Sequence, residues 1–424
     1  MVYITLLALL LTVTNFVPLS AIGFLPVVLC SWRFFGRTYP AFVTPLVVFG
    51  LYVTVSTLLY APASFTEFDF YRRDGNFYIS YLPFLAGFLY THDLDLNKLL
   101  RRFFIFAIVI NAPFYAYYLA HTGLLSILKH PSESYGSYFI ARNAAGGFLS
   151  MLCCLGIACY MHRPSKFLLG CICLNVLMLW STYSRGSLLG LVMVIPYVVL
   201  GRKRWVLATL IAGMLVSSIA LAQYFTLPHV DYMGYTFAIS DANEKTANVS
   251  IRFEWLWPRA LDYFKQSPIV GMGFGSFDDQ IGTNVNYFGL FSQPLRVAIT
   301  HSDSHAHNSY LNLLAELGVV GLALMLAFYW RLITWCQKGA NDAIASHGGR
   351  NFVAFRYVEL SSICLLVMSA TEHRMVSPSN VLILALGLSL LVSSRAPAPR
   401  PTYAQTGTRF TTAPRSEQRE LSAR

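Results

Sequence analysis

Charge is what this chain has least of. Only 12% of its 424 residues are Asp, Glu, Lys or Arg, where a soluble globular domain carries about a quarter, and this shortage excludes an ordinary water-soluble fold. Metal-type and redox-type cysteine spacing is also missing. Cys30, Cys153, Cys154, Cys159, Cys171, Cys173, Cys336 and Cys364 fall in or beside apolar runs without a CxxC pair, and read as small buried hydrophobes. The opening MVYITLLALLLTVTNF lacks the basic stretch that precedes the apolar core of a cleaved signal peptide, so it is expected to be a first span. The apolar runs show no polar-apolar alternation, so they are expected as helices and not as barrel strands.

What is present is apolar: 55% hydrophobic residues and a mean hydropathy of +0.52. A helix needs ~20 such residues to cross the hydrocarbon. The runs at 2–17, 20–35, 41–60, 76–91, 100–120, 142–161, 166–182, 186–200, 204–225, 308–334, 352–370 and 378–393 predict an all-α polytopic membrane protein with about twelve transmembrane helices. Basic residues mark the cytoplasmic side. With the N-terminus inside, the inner segments hold Arg33, Arg37, Lys98, Arg101, Arg102, Arg163, Lys166, Arg202, Lys203, Arg204, Arg331, Lys338, Arg350 and Arg356, and a further six arginines lie in the tail. The outer side keeps only eleven of the 31 basic residues but most of the 20 acidic ones. Both termini are therefore expected in the cytoplasm. The net charge of +11 follows from this asymmetry and requires no nucleic-acid partner.

The expected organisation is 1–225 with nine spans, an outer segment at 226–307, three spans over 308–393, and a disordered cytoplasmic tail at 394–424. The outer segment, about 80 residues long, is the one extended polar interruption. Within it FEWLWPRALDYF places Phe253, Trp257, Leu261 and Phe264 at helical spacing. Pro258 either opens that helix or kinks a longer one. The following GMGFGS is a tight-turn segment; no βαβ unit flanks it, so it is not a nucleotide loop.

Several polar residues at span mouths are candidates for chemistry. Arg185 stands among Ser181, Thr182, Ser184, Gly186 and Ser187 on the outer side; ordinary snorkelling would explain it, and so would an anion. Arg252 and Arg259 are seven apart, on nearly one face if one helix holds both. They offer planar forks to phosphate oxygens, or else pair with nearby Glu254, Asp241 or Asp262 on a solvated surface. His307 lies where HSDSHAHN turns into LNLLAELGVVGLALML. A histidine there can take a proton near neutral pH, or simply cap and pack the helix. His301 and His305 add to the local density, and HSDSHAH can also be read as metal-binding. Glu316 is nine positions beyond His307, off its face, and is expected to meet another helix, with Gly318 and Gly321 allowing close packing.

The segment HNSYLNLLAELG, with SRG at Arg185 and an arginine ahead of a Trp-containing amphipathic helix and glycine turn, resembles the O-antigen ligase and O-antigen polymerase superfamily of bacterial inner-membrane proteins. The resemblance covers roughly Arg142 to Gly321. It implies a GT-C-like glycosyltransferase, working without metal or other cofactor on the periplasmic face. The implied donor is an undecaprenyl-pyrophosphate-linked glycan and the implied acceptor is lipid A-core oligosaccharide. It further implies His307 as the base, Arg185 and Arg252 as catalytic and donor-binding, Arg259, Ser184 and Asn308 as substrate-binding, and Glu316 and Gly318 as supporting. A polymerase extending lipid-linked repeats is the alternative within the superfamily. A transporter of an anionic lipid or solute is the alternative outside it, and would call for internal repeats that the sequence does not display.

Overall fold

A computed structural model of the chain describes residues 40–60, 62, 65, 77–78, 80–81, 95–123, 134–139, 142–224, 252, 256–277, 305–345, 349, 351–375, 380–381, 384 and 391. The expected spans at 2–17 and 20–35, most of those at 76–91 and 378–393, and the tail lie outside the described residues. In chain order the helices are α1 Val43–Tyr60, α2 Leu96–Thr122, α3 Arg142–His162, α4 Lys166–Ser181, α5 Arg185–Val199, α6 Arg204–Tyr224, α7 Trp257–Gln266, α8 Ser309–Ala345 and α9 Phe352–Met368.

Among the described residues five helices, α1, α2, α3, α6 and α8, are long and apolar enough to cross a membrane by length and composition. The fold is a bundle of apolar helices, as a polytopic membrane protein requires. Five such helices, and not twelve, are found among these residues. Part of the difference is length. The runs at 166–182 and 186–200 are helices of only 16 and 15 residues, parted by Thr182 and Tyr183, the latter with positive φ. The run at 308–334 goes the other way and continues to Ala345, 37 residues in all, with a break at Gly318.

Small residues decide what lies at the centre. α3 is buried over most of its length, and α9 packs against α3, α5 and α8. Gly156 of α3 lies where a Cβ would meet Phe104 of α2 and Ile172 of α4, and Gly190 of α5 abuts Cys364 and Met368 of α9. Close approach of this kind is how helices associate in lipid, where no hydrophobic force acts between them. Leu51, Leu58 and Leu59 of α1, Phe167 and Trp180 of α4, and Val192 and Ile195 of α5 are exposed, the apolar outside of the bundle. The cysteines divide accordingly: Cys153, Cys154, Cys159, Cys336 and Cys364 are buried, but Cys171 is half-buried and Cys173 exposed on α4, and none is paired. The expectation of uniform burial is thus corrected, because α4 presents one side outward.

Arg356 is a second correction. It is no loop residue but a fully buried member of α9, ion-paired with Glu359 one turn on and bonded to Asn341 Oδ1 at 3.0 Å. Tyr197 Oη donates to Glu359 Oε1 at 2.7 Å, and Gln337 Nε2 donates to Arg202 O at 3.0 Å. This cluster joins the end of α5 to α8 and α9. Arg185, Arg252 and His307 lie at the opposite end of the bundle, with the starts of α3, α5 and α8 and the end of α9.

Gly318 breaks α8 with φ 63° and ψ −164°, a region open essentially to glycine alone. A break orphans backbone groups on both sides, and here the segment after α7 fills them. Met272 N and Gly273 N donate to Ala315 O and Glu316 O at 3.0 and 2.9 Å, while Val319 N and Val320 N donate to Pro268 O and Ile269 O at 2.9 and 3.2 Å. Tyr52 Oη of α1 reaches Leu317 O at 3.1 Å and Val270 O at 2.9 Å. Gly271 lies back to back with this bend, where a Cβ would collide with the Glu316 backbone.

Candidate functional site

Three chain segments converge at the end of the bundle opposite the Arg356 cluster. His307 lies two residues ahead of α8 in a left-handed conformation, φ 49°. Its position is fixed through its neighbours. Ala306 donates its N–H to Asn312 Oδ1 at 3.0 Å and accepts Trp257 Nε1–H from α7 at 3.0 Å. Asn308 caps α8, its Oδ1 taking Tyr310 N and Leu311 N at 3.0 and 3.2 Å. Its Nδ2 donates to Ser218 Oγ of α6 and Ala370 O, both at 2.9 Å. The amide's two donors and two lone pairs are thereby all engaged within the protein.

The turn after α9, Thr371–Arg374, is the second segment, and it was not singled out from the sequence. Ser309 ties it to the start of α8: Ser309 N donates to Ser369 O at 2.8 Å, and Ser309 Oγ accepts from Arg374 N at 2.9 Å. This brings Glu372 beside His307, with Nδ1 to Oε2 at 3.2 Å. Asn143 Nδ2 from α3 donates to Glu372 Oε1 at 3.1 Å. Arg374 is buried, and its Nη2 donates to Asn143 O at 2.8 Å. His373 has shielded ring nitrogens and stacks on His305, which meets His307 edge-on; both pairs have centroids 4.8 Å apart.

Arg252 is the third. Its Nη2 donates to Glu372 Oε1 at 2.8 Å and its Nη1 to Thr371 O at 2.9 Å. Arg185 begins α5 exposed to solvent. Gly186 beside it touches Thr371, since a Cβ there would strike the threonine side chain, so the start of α5 abuts the turn that holds Arg252. Ser184 is buried and bonds Ser187 Oγ at 2.8 Å.

The remaining predicted residues stand apart from this convergence. The α-helical part of α7 begins at Trp257 with Pro258 in its first turn; Arg252 and Leu256 ahead of it are π-helical, and Arg252 and Arg259 engage different partners. Arg259 is buried against Tyr263 and Phe277, its guanidinium carbon 5.3 and 4.6 Å from their ring centroids. Asp262 pairs with Lys265 at 3.3 Å. Glu316 is fully buried, and its Oε1 accepts from Phe277 N in the glycine turn at 3.3 Å. His301 lies outside the described residues. Among the described residues no three His, Cys, Asp or Glu side chains converge as metal ligands.

The electrostatics follow from the packing. Burial pushes the Glu372 carboxyl up, but the His307 hydrogen bond and the Arg374 and Arg252 guanidiniums together hold it well below the usual carboxylate range. It is therefore ionised, and an ionised carboxylate only accepts. Burial, and then His305 and His307, hold His373 well below the ordinary histidine value, which keeps it neutral near pH 7. Glu372 and Arg374 had a signal in the sequence: TEHR closes an apolar run with charges at a span mouth, as SRG does at Arg185.

A bundle of apolar helices with an arginine, glutamate and histidine cluster at one end defines a multi-pass membrane protein with a polar cluster at one end of its helices. Residues 169–326 match the family model described as O-antigen ligase, and this match supports assignment to the O-antigen ligase and polymerase superfamily and a glycan-handling role in general. The matched stretch contains Arg185, Arg252 and His307 and ends before Glu372. No curated protein matches the chain.

Proposed function

We propose that the chain is an O-antigen ligase, transferring a glycan from undecaprenyl pyrophosphate to a hydroxyl of lipid A-core on the periplasmic face. The observation that carries this reading is the Glu372 carboxylate held between His307 Nδ1 and Arg252 Nη2. Because Glu372 can only accept, the neutral His307 ring carries its proton on Nδ1 and its lone pair on Nε2. Nε2 then takes the proton as the acceptor hydroxyl oxygen attacks the anomeric carbon. The new carbon–oxygen bond forms while the bond to pyrophosphate breaks, and undecaprenyl pyrophosphate leaves with the electron pair. Arg185, and the second N–H on each of Arg252 Nη1 and Nη2, meet the charge growing on that leaving group. The imidazolium formed is stabilised by Glu372. Ser184, Asn308, Arg259, Glu316 and Gly318 are framework residues in this scheme, holding the starts of α5 and α8 and the α7 turn. The step needs no metal or other cofactor.

The same reading places Arg163, Lys166 and Arg202–Arg204 in the cytoplasm with both termini, in a GT-C-like arrangement of about twelve spans. The test is transfer in vitro from a lipid-pyrophosphate glycan by purified His307→Ala, with thermal unfolding measured on the same preparation. A fall of ~100-fold to 10,000-fold in a folded protein is expected; near-wild-type turnover refutes the base. Deleting the gene separates the branches. Polymer left on its carrier lipid with bare core is the ligase outcome, and a single repeat unit on core is the polymerase outcome.

A further inference from the structure

The bend at Gly318 carries four exposed apolar residues that the transfer chemistry does not use. Ile269 and Val270 are 66% and 40% exposed, and Val319 and Val320 are 52% and 37% exposed. They form one patch, because Val319 N and Val320 N are hydrogen-bonded to Pro268 O and Ile269 O. Tyr52 Oη, bonded to Val270 O, joins the patch to α1, where Leu51, Val55, Leu58 and Leu59 are exposed at 52% or more. The patch therefore continues the apolar outside of a helix long and apolar enough to cross a membrane. It has a polar edge: Lys265 and Gln266 are exposed only three and four residues before Ile269.

We propose that Pro268–Val270, inside the otherwise polar outer segment, is a lipid-contacting loop that packs with Val319 and Val320 against hydrocarbon chains of the outer leaflet beside α1. Four β-branched side chains in water would be a standing cost, whereas in lipid they complete the apolar surface. Irregular backbone is tolerated next to lipid only if its polar groups are satisfied internally. Here Pro268 O, Ile269 O and Val270 O are taken by Val319 N, Val320 N and Tyr52 Oη, and Gly271 N, Met272 N and Gly273 N by Ser267 O, Ala315 O and Glu316 O. Phe274 N is taken by Ser56 Oγ of α1 at 3.2 Å. The three carbonyls of Pro268–Val270 and the N–H groups of the four residues after them are thus met within the protein. By this contact the membrane holds the junction of α7 and α8, the two helices that fix Ala306 ahead of His307.

The experiment uses the full chain reconstituted in vesicles, with tryptophan at Ile269, at Val319, or at Lys265 on the polar edge, and the emission of the seven native tryptophans subtracted as wild-type background. Quenching by lipids brominated on their acyl chains is compared with quenching by aqueous iodide. Ile269→Trp and Val319→Trp should be quenched several-fold more by bromolipid than by iodide, and Lys265→Trp should show the reverse order. Iodide quenching at Ile269→Trp equal to that at Lys265→Trp would overturn the proposal. Protection of Ile269→Trp from both quenchers, the result for a face covered by protein, overturns it equally. No substrate enters the measurement, so its outcome is separate from that of the transferase reading.

Discussion

Arg252 reaches Glu372 across 120 positions of sequence, Nη2 to Oε1 at 2.8 Å, and the other oxygen of the same carboxylate faces His307 Nδ1 at 3.2 Å. One acidic side chain thus sets the orientation of both a cation and an imidazole that lie on different segments. Asn143 on α3 and the buried Arg374 complete its surroundings.

Replacing Glu372 by glutamine keeps the shape but removes the charge that fixes the His307 tautomer. Glu372→Gln should retain its folded state while transfer falls ~10-fold to 100-fold or more, in the range found for residues that orient a histidine from behind. The pH profile of kcat should change as well, because the imidazolium is no longer stabilised. Parallel kcat profiles for wild type and variant, differing only in KM, would contradict the orienting role.

At Arg185 the charge alone should not suffice. Arg185→Lys keeps a cation but loses the planar fork, and transfer should drop ~100-fold. Because the side chain is exposed at the start of α5, thermal unfolding in detergent should be unchanged. Donor affinity measured on the same protein separates lost binding from lost turnover.

The Arg356 and Glu359 pair makes a stability prediction at the far end of the bundle. Arg356→Met leaves a fully buried carboxylate without its cation and should cost ~3–5 kcal/mol. The double variant Arg356→Met with Glu359→Leu should recover much of that loss, since neither charge then needs solvation. Chemical denaturation of the three proteins measures the cycle.

His373 supplies a pH dependence. Its folded-state value lies below that of the unfolded chain, by burial and then by His305 and His307, so the unfolded state binds the proton more readily. Its contribution to stability is complete above the ordinary histidine value of ~6.5 and declines as the pH falls below it. His373→Gln should flatten the fall in melting temperature between pH 7 and pH 5 relative to wild type.

The membrane class and the apolar helices follow from the sequence by itself, because lipid admits few structures and each apolar run declares its own solvent. Arg185, Arg252 and His307 were legible for the same reason: polar groups at span mouths stand out against an apolar background and match a local motif. The pairing of those residues was not legible. Glu372 follows His307 by 65 positions and reaches it only because Ser309 binds the turn after α9. Arg252 and Arg259 looked equivalent by spacing, yet one reaches Glu372 and the other packs against Phe277. Arg356 read as a loop charge because its partners, Glu359 and Asn341, come together only when α8 and α9 pack. Local pattern fixes which solvent a segment meets. Which charge meets which is set by contacts between segments far apart in sequence, and only the tertiary structure decides those.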